Sequence, residues 1–334
     1  MIHVVNTSND PFFNHALEEY FLSEYDEEIF TIWINRPSIL IGRNQNTFAE
    51  INSAYVSENN IDVVRRLSGG GAVYNDLGNM NFTFISKKSD DHSFSRFASP
   101  VIDALKSLAV DAQFTGRNDI TIEGKKISGN AQYFYEDKVL HHGTLLYDVK
   151  MDKLTKALNT HPLKFQNKAV KSVSSRVANI SDYLENKMDL HDFKAYLENY
   201  IKDTYSIKSS YILTSSDIEK IEEIAQKRFR TASWNFGKNT SYNISSSIVL
   251  SSGILDFNLA VKNNIIHDFK IFGDFFGENS IEELEMMFIG LELEKEKIYN
   301  ALADICISDF IMGLDKESFI SALIETTLDI KKKL

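Results

Sequence analysis

Cysteine occurs only once in the 334 residues, at Cys306, so the chain has no internal disulfide and no all-cysteine metal site. A chain without disulfides suits a reducing compartment, and we therefore expect a cytoplasmic protein. Cys306 lies among Ala301, Ile305 and Ile307, and this apolar neighbourhood favours a buried, unreactive thiol. Catalysis through a cysteine thioester is accordingly not expected.

Long apolar runs and an excess of basic residues are missing too. No stretch approaches the roughly 18 consecutive apolar residues of a membrane helix, and the polar residues after Val5 predict no signal peptide. Lysine and arginine total 36 against 47 aspartates and glutamates, a formal net charge of −11. Nucleic-acid binding needs a basic face for the phosphates. The sequence therefore predicts neither a membrane partner nor a nucleic-acid partner.

The remaining composition is that of a folded globular protein, with 43% apolar and 25% charged residues. At roughly 100–200 residues per domain, the length predicts two domains. Strand-like runs cluster instead of alternating with helices, which predicts an α+β class. The serine-rich segment 245–252 is the candidate boundary, giving domains at 1–245 and 253–334, although residues 248–250 could equally form a short strand.

Local patterns in the first domain predict three features that the structure can test. Apolar residues at 3–4 spacing after Pro11 predict a helix. Residues 30–34 and 39–41 are strand-like and predict a hairpin. A further helix is predicted over residues 100–109.

Helix-capping patterns predict where two later helices begin. Ser216 and Glu219 form one predicted capping box, and Ser280 with Glu283 forms the other. The second of these helices is expected to follow two strands, at about 253–262 and 265–273.

Three consecutive glycines end a strand-like run within residues 65–79, RRLSGGGAVYNDLGN. Glycines leave backbone N–H groups uncovered, so an anion can approach the main chain closely. Arg65 and Arg66, just before them, supply forked donors suited to phosphate or carboxylate. We interpret the segment as an anion site; a solvent loop with surface arginines is the alternative.

Residues 116–132, GRNDITIEGKKISGNAQ, contain a strand, a tight turn and a return strand. This pattern predicts a hairpin that brings Asp119 close to Lys125 or Lys126. If the return strand alternates regularly, Lys126 shares a face with Ser128. From spacing alone, a lysine pair beside a turn is more often solvated than functional.

Residues 140–146 are strand-like and carry His141 and His142 near their start. On its own, each histidine is more often structural than catalytic. The usual signatures of other enzymes are missing: the sequence has no Walker A loop, no dinucleotide-binding glycine pattern, no nucleophile elbow at Ser68 and no metalloprotease helix motif.

Together, in this order and spacing, these segments closely resemble the lipoate–protein ligase A family. The matching stretches are RRLSGGGAVYNDLGN (65–79), GRNDI…GKKISGNAQ (116–132), HHGTLLYD (141–148), KSVSSRVANI (171–180) and the later segments 234–238 and 271–276. The resemblance covers nearly the whole chain. It departs at Ser174, where members often carry a basic residue, and at Thr240, where proline is common; both positions bear on acceptor docking or domain orientation.

The resemblance implies an α+β protein with a biotin/lipoate ligase-like catalytic domain and a smaller α+β C-terminal domain. It implies that lipoate reacts with ATP to give lipoyl-AMP and pyrophosphate. The lipoyl group then passes to a lysine of an acceptor protein, either a lipoyl domain of a 2-oxoacid dehydrogenase acyltransferase subunit or the glycine cleavage H protein.

The resemblance also implies roles for individual residues. Lys126 is the implied catalytic residue, in contact with both the lipoate carboxylate and the α-phosphate. The implied ATP and lipoyl-AMP contacts are Arg66, Gly71, Ala72, Val73, Tyr74, Asn79, Asn118, Asp119 and Lys126. The implied lipoate contacts are Ser68, Gly70, Lys126 and His142. Mg²⁺ is the implied cofactor, without assigned ligands.

Other functions compete with this interpretation. One is a lipoyl or octanoyl transferase that moves the group between carrier proteins, and another is a non-catalytic lipoate- or nucleotide-binding protein. A biotin ligase is disfavoured because its own signature is missing. A locally basic stretch would suit an acidic acceptor, although a solvated face is the simpler interpretation; its residues are Lys164, Lys168, Lys171 and Arg176.

Overall fold

The computed structural model describes residues 1–89, 91, 93–159, 176–237, 242–250 and 253–331. The two departures, Ser174 and Thr240, lie outside these residues, as do three residues of the basic stretch, Lys164, Lys168 and Lys171. Among the helices described, none is both long enough and apolar enough to cross a membrane.

Strands and helices are both numerous in the described part of the chain. The strands are β1 (Ile2–Val5), β2 (Ile29–Trp33), β3 (Ser38–Ile41), β4 (Asp62–Arg65), β5 (Val73–Asn75), β6 (Asn79–Lys87), β7 (Ala112–Thr115), β8 (Asp119–Ile122), β9 (Lys125–Tyr135), β10 (Lys138–Leu146), β11 (Ser210–Ile212), β12 (Ile244–Leu250), β13 (Gly253–Lys262) and β14 (Ile265–Gly273). The α-helices are α1 (Pro11–Glu24), α2 (Thr47–Glu50), α3 (Ser53–Glu58), α4 (Phe94–Ser107), α5 (Met151–Ala157), α6 (Leu190–Thr204), α7 (Ser215–Ile224), α8 (Ala232–Phe236), α9 (Ile281–Met286), α10 (Lys295–Ala301), α11 (Ile307–Phe310) and α12 (Lys316–Lys331). A 3-10 helix covers Ile180–Tyr183 and a π-helix covers Ala225–Phe229.

The chain divides into two compact units that are interleaved in sequence. The first contains Met1–Ile41, Thr47–Arg66 and Val73–Asn235, and the second contains Gly42–Asn46, Leu67–Ala72 and Phe236–Leu334. The glycine-rich loop therefore groups with the C-terminal residues, although a strand of the first unit precedes it and another follows it.

The first unit is built on an eight-stranded sheet in the order β11-β1-β2-β6-β10-β9-β8-β7. Its central strands are antiparallel, because β6 pairs with both β2 and β10, and β10 pairs with β9. Helices α4 and α6 cover one face through buried residues such as Phe97, Val101, Phe193 and Leu197. These strand and helix positions confirm the predicted α+β class.

The predicted hairpin between residues 30–34 and 39–41 is wrong. Strand β2 pairs with β1 and β6 in the large sheet. Strand β3 is instead the centre of a three-stranded sheet, parallel to β4 and antiparallel to β5. Both runs are fully buried strands, so their pairing depends on partners distant in sequence and not on the short turn between them.

The sequence predicted correctly that these helices form, but it predicted their first residues and capping residues less accurately. The helix after Pro11 is confirmed as α1, with Asp10 as its N-cap. Helix α4 begins at Phe94 behind the N-cap Ser93, so Pro100 lies inside it and does not open it. The capping box of α7 is Thr214 with Asp217, not Ser216 with Glu219. Ser280 is the N-cap residue of α9, but its side chain bonds Glu282 instead of the helix backbone.

The second unit contains a three-stranded antiparallel sheet, β12-β13-β14, followed by helices. The serine-rich segment forms β12, which confirms the strand considered for residues 248–250. Its core joins sheet residues such as Phe257 and Phe269 to Phe288 and Phe319 of the helical part.

The prediction of a buried Cys306 is wrong. Its side chain is exposed. Cys306 occupies the N-cap position of α11 with an extended backbone, and its Sγ lies 3.2 Å from the Ser308 hydroxyl.

Candidate active site

The hairpin predicted around Lys126 is confirmed, with β8 antiparallel to β9. The Lys126 ammonium lies 2.7 Å from Oδ1 of Asp119, and about a third of each side chain is exposed. A cation and a carboxylate in contact, both accessible to a ligand, give this edge of the sheet the character of a polar binding site. Lys126 is the lysine that the hairpin brings to Asp119, whereas Lys125 is exposed.

A β-bulge determines the face on which Lys126 lies. Asp119 pairs with Gly129 and Ile120 with Ser128, but Thr121 then pairs with Lys126, so one extra residue lies on β9. Lys126 therefore shares a face with Thr121 and Asp119, and Ser128 shares the other face with the core residue Ile120. The expectation that Lys126 and Ser128 share a face, which assumed regular alternation, is wrong for this reason.

Gly129 leaves the space that the Lys126 side chain occupies. A Cβ on Gly129 would lie 2.8 Å from Nζ and 2.9 Å from Cε of Lys126. The Lys126 backbone is fixed on its other side, since its N–H donates to Arg176 O at 2.8 Å and its carbonyl accepts from Ala178 N–H at 3.0 Å. The ammonium is thus held between a fixed backbone, the open position at Gly129 and the Asp119 carboxylate.

The adjacent histidines of β10 point to opposite faces of the sheet. His141 lies in the core, where its ring stacks on Phe97 of α4 with centroids 4.9 Å apart. His142 points to α1, where its Nδ1 lies 2.9 Å from Oε1 of Glu18. Because Gly129 and Ala131 lie on the His142 face, and the bulge places Lys126 on the Gly129 face, Lys126 and His142 share one face of the sheet.

Glu18 is a buried carboxylate that sequence reasoning missed. Its Oε2 accepts from His15 and its Oε1 from His142, each at 2.9 Å, and the Thr83 hydroxyl donates to Oε1 at 2.6 Å. Burial alone would raise the pKa of Glu18, but the electrostatic interactions and hydrogen bonds that it makes with His142 and His15 outweigh burial and hold the pKa well below its usual range. One sequence signal could have identified it: Glu18 lies one helical turn after His15, in a helix that is buried on nearly every side.

His15, Glu18 and His142 also form the one group of three potential metal ligands found among the described residues. Burial lowers the pKa of His15, so its ring is neutral and donates its Nδ1–H to Glu18. The Nδ1 atoms are therefore already engaged by the carboxylate. A set of two imidazoles and one carboxylate does not suit Mg²⁺, which prefers oxygen ligands.

The two arginines before the glycines have different surroundings. Arg65 is bound into the fold: its Nε donates to Trp234 O at 2.8 Å, and its backbone N–H donates to Asn235 Oδ1 at 2.9 Å. Arg66 is 5% exposed and donates to Leu40 O at 3.0 Å. Burial lowers the pKa of Arg66 to about 10, so its guanidinium remains charged at neutral pH.

The glycine-rich loop is fixed within the second unit. Gly70 has φ 87°, in the left-handed region, and its N–H donates to Phe275 O at 3.2 Å. A Cβ on Gly69 would overlap the Phe275 carbonyl, whereas a Cβ on Gly71 would meet no described atom within 4 Å. Ser68 is fully buried, and its carbonyl accepts from Arg43 N–H. Open space at Gly71 fits close approach of a ligand, and the other two glycines serve the loop itself.

A chain of buried asparagines leads to the segment after the glycines. The amides are linked in the order Asn6, Asn14, Asn35, Asn75, Asn81 and Asn79. Among the described residues, Asn75 Nδ2, Asn79 Oδ1 and the Tyr74 hydroxyl have no hydrogen-bond partner although they are buried. An unsatisfied buried polar atom costs about 1–3 kcal/mol. Three of them within six residues mark this segment as a candidate ligand contact.

The predicted site residues are thus distributed over both compact units. The first unit contains Arg66, Val73, Tyr74, Asn79, Asn118, Asp119, Lys126 and His142. The second contains Ser68, Gly70, Gly71 and Ala72. Asn118 is bonded to Asn130, because its Nδ2 donates to the Asn130 carbonyl at 2.7 Å.

Two protein families match this chain. The family described as lipoyl protein ligase A/B catalytic domain matches residues 10–202, and the bacterial lipoate protein ligase C-terminus matches residues 239–323. The chain belongs to the lipoyl protein ligase A/B family. The family resemblance inferred from the sequence motifs is therefore confirmed.

Curated members of this family are similar over almost their whole length. Lipoate-protein ligase LplJ of Bacillus subtilis is 43% identical over 321 residues, covering 94% of this chain and 97% of that protein. Lipoate–protein ligase 1 of Staphylococcus aureus is 40% identical over 319 residues, with the same two shares covered.

Solved structures of the lipoyl protein ligase family share the fold. LipL1 of P. falciparum, in complex with lipoate, has a TM-score of 0.80 at 25% identity and covers 98% of this chain and 99% of its own. A lipoate-protein ligase A bound with ATP has a TM-score of 0.61 at 25% identity, covering 71% of this chain and 99% of its own. A bipartite ligase from Thermoplasma acidophilum, described with its E2 lipoyl domain, has a TM-score of 0.62 at 27% identity, covering 73% and 98%. The α+β ligase fold with a smaller C-terminal part is confirmed.

Proposed function

We propose that the protein activates lipoate with ATP and transfers the lipoyl group to a lysine of an acceptor protein. In the first step a lipoate carboxylate oxygen forms a bond to the α-phosphorus of ATP, and pyrophosphate leaves. In the second step the acceptor amine forms a bond to the acyl carbon, the acyl–oxygen bond breaks, and AMP leaves as the amine loses a proton. Family membership and the geometry around Lys126 support this proposal.

The observation that carries the proposal is the position of the Lys126 ammonium. It contacts Asp119 at 2.7 Å and lies on the same face of the sheet as His142. In the first step negative charge develops on the α-phosphate oxygens and the departing pyrophosphate, and in the second step it develops on the acyl oxygen and the departing AMP phosphate. A preorganised cation beside those oxygens stabilises that charge, and removing such a group typically costs about 10²–10³ in rate.

The remaining residues divide between the two substrates. We assign ATP and lipoyl-AMP binding to Arg66, Gly71, Ala72, Val73, Tyr74, Asn79, Asn118, Asp119 and Lys126. We assign lipoate binding to Ser68, Gly70, Lys126 and His142. The charged guanidinium of Arg66 suits a phosphate, and the unsatisfied atoms of Tyr74 and Asn79 suit a polar ligand. Glu18 orients His142 through its Nδ1.

Mg²⁺ fits this site through Asp119, because a carboxylate together with substrate phosphates is its usual ligand set in nucleotide sites. Oδ1 of Asp119 is buried, and the only partner described for it is the Lys126 ammonium. Bound there, Mg²⁺ would neutralise phosphate charge.

The acceptors that we propose are lipoyl domains of 2-oxoacid dehydrogenase acyltransferase subunits and the glycine cleavage H protein. We further propose a catalytic domain at 1–245 and an accessory domain at 253–334. A cytoplasmic location suits an enzyme that consumes ATP and acts on such acceptors.

The test is a reaction of the purified protein with lipoate, Mg-ATP and a lipoyl-domain acceptor. We expect pyrophosphate release and acceptor lipoylation, both dependent on ATP. Acceptor labelling from a lipoylated or octanoylated carrier without ATP would support the transferase instead, and binding without either reaction would support a non-catalytic protein. Cys306→Ser should leave the ligase reaction unchanged, whereas a thioester route would lose its only cysteine.

A further inference from the structure

His141 has no part in the proposed chemistry, yet both of its ring nitrogens have specific partners. The side chain is fully buried. Its Nδ1 lies 3.2 Å from Nε2 of Gln132, and its Nε2 lies 3.2 Å from Oδ1 of Asn130. An amide nitrogen only donates, so Nδ1 accepts from Gln132 and the ring proton is on Nε2, where it donates to Asn130.

Asn130 uses its remaining groups to hold Asn118. Its backbone N–H and its Nδ2 both donate to the Asn118 carbonyl, at 2.9 and 3.0 Å. In return, Asn118 Nδ2 donates to the Asn130 carbonyl at 2.7 Å. Three hydrogen bonds therefore fix Asn118, and the next residue along the chain is Asp119, the partner of Lys126.

Gly143 provides the room for this arrangement. It is paired directly with Asn130, and a Cβ on Gly143 would overlap Oδ1 of Asn130 and the Phe82 ring. Phe97 stacks on the ring of His141, which donates the hydrogen bond to Asn130. The histidine ring and the amide are thus confined by packing, so the hydrogen bond between them has one available geometry.

We propose that His141 is a positioning residue for the Asp119–Lys126 pair, acting through the Asn130 amide that holds Asn118. His141 and Asn130 lie on the core face of the sheet, and Lys126 lies on the opposite face, with the edge turn at Asn118 connecting the two. Burial lowers the pKa of His141 well below its usual value, so the ring stays neutral and keeps this donor and this acceptor. The inference rests on the proposed function only for its activity readout.

The test measures the reactivity of the Lys126 amine directly. The protein is treated with limiting acetic anhydride, and acetylation of Lys126 and Lys125 is quantified by mass spectrometry. His141→Phe retains an aromatic ring but cannot donate to Asn130, whereas His141→Gln retains an N–H donor. Lys125, exposed and adjacent, is the internal control.

We expect Lys126 to be acetylated roughly 2–10 times faster in His141→Phe, the factor that loss of one hydrogen bond gives. When Asp119 is held less firmly, the Lys126 amine spends more time away from the carboxylate, where the reagent can reach it. His141→Gln should restore the slow rate, and Lys125 should not change. Asn118→Ala removes the hydrogen bond from Asn118 Nδ2 to the Asn130 carbonyl and should accelerate Lys126 in the same way.

Equal Lys126 reactivity in wild type, His141→Phe and Asn118→Ala would overturn the proposal, as would a parallel rise at Lys125, which would indicate general loosening. Pyrophosphate release is measured on the same samples, where we expect His141→Phe to lower kcat more than it raises KM for lipoate. If wild type releases no pyrophosphate, the proposed function fails, while the acetylation pattern still decides the role of His141.

Discussion

At the scale of single residues, the site depends on how one ammonium is placed. Lys126 has Asp119 at 2.7 Å, a glycine beneath its side chain and a backbone N–H and carbonyl that bond Arg176 and Ala178. Such a cation requires no reorganisation when charge develops beside it, which is what makes a preorganised group effective.

Replacing Lys126 by Ala should lower the rate of pyrophosphate release by about 10²–10³, because the cation at the acyl phosphate is lost. Lys125→Ala is the matched control, one residue away and exposed, and it should retain the wild-type rate. Steady-state kinetics with lipoate and Mg-ATP makes the comparison. Equal rates for Lys126→Ala and wild type would remove Lys126 from the chemistry.

Gly129→Ala should impair activity with little cost in stability. The new Cβ meets the far end of the flexible Lys126 side chain, so the ammonium moves while the backbone stays in place. A displacement of about 1 Å at a catalytic group can cost up to about 100-fold in rate. Pyrophosphate release and thermal unfolding are measured on one preparation. A large loss of stability, or an unchanged rate, would contradict this account of Gly129.

His141 should contribute to the pH dependence of stability. Burial and, secondarily, the nearby His142 hold the pKa of His141 well below its usual value, so the folded ring is neutral. Below about pH 6.5 the unfolded chain takes up a proton that the folded chain does not, and the free energy of unfolding then falls by up to about 1.4 kcal/mol per pH unit.

Urea unfolding at pH 7.5 and 5.5 checks this sign. His141→Phe and His141→Gln both remove the titrating ring, so both should show a smaller loss of stability on acidification than wild type. Burial also lowers the pKa of His15, so part of the pH dependence of the free energy of unfolding remains in every variant. A steeper acid loss in both variants would contradict the assignment.

Sequence patterns predicted the contact at this site but not the face on which it lies. The strand–turn–strand pattern brought Asp119 to Lys126, since pairing across a tight turn is a local property. The bulge on β9 has no signature in the residue pattern, and it reverses the face of Lys126. Glu18 was missed because its partners His142 and Thr83 are 124 and 65 residues away.

At the scale of elements, α1, β11 and α7 are joined by one buried carboxylate. Asp217 accepts from the Tyr20 hydroxyl at 2.7 Å, from the Tyr211 hydroxyl at 2.8 Å and from Thr214 N–H at 2.8 Å. Helix α1 carries both His15 and Glu18, so this connection also supports the site. Burial alone would raise the pKa of Asp217, but the hydrogen bonds it accepts, led by Thr214, lower the pKa to about 2.

Asp217→Asn should destabilise the protein by about 2–3 kcal/mol at pH 7, because an amide nitrogen replaces an acceptor among donors. The wild-type advantage should be complete above about pH 4 and disappear as the pH falls toward 2, where the carboxylate protonates. Ser216→Ala is the control: the capping pattern pointed to Ser216, but its side chain is exposed. Urea unfolding should show a change within about 0.5 kcal/mol for the control.

Elements defined by neighbouring residues were predicted well, and those defined by distant partners were not. The amphipathic spacing after Pro11 gave α1, and the strands at 253–262 and 265–273 are confirmed as β13 and β14. The pairing of β2 with β6 and of β3 with β4 is non-local, so no turn signal between β2 and β3 could have revealed it.

At the scale of the whole molecule, sequence order and compact units do not coincide. The segments Gly42–Asn46 and Leu67–Ala72 group with the C-terminal residues, through contacts such as Gly273 N–H to Asn44 O at 2.7 Å. The serine-rich segment is a strand inside the second unit. Chain length alone predicts two domains. It does not reveal that two short segments belong to the C-terminal unit, because these segments lie some 200 residues from their partners and have no distinctive composition.

We propose that the lipoate carboxylate attacks the α-phosphorus of ATP to give an acyl-adenylate. The most direct measurement uses lipoate labelled with oxygen-18 in its carboxylate, Mg-ATP and a lipoyl-domain acceptor, followed by mass spectrometry of the nucleotide. The AMP released should carry one labelled oxygen, because the acyl–oxygen bond breaks in the transfer step. Unlabelled AMP, or acceptor lipoylation without any AMP, would contradict it.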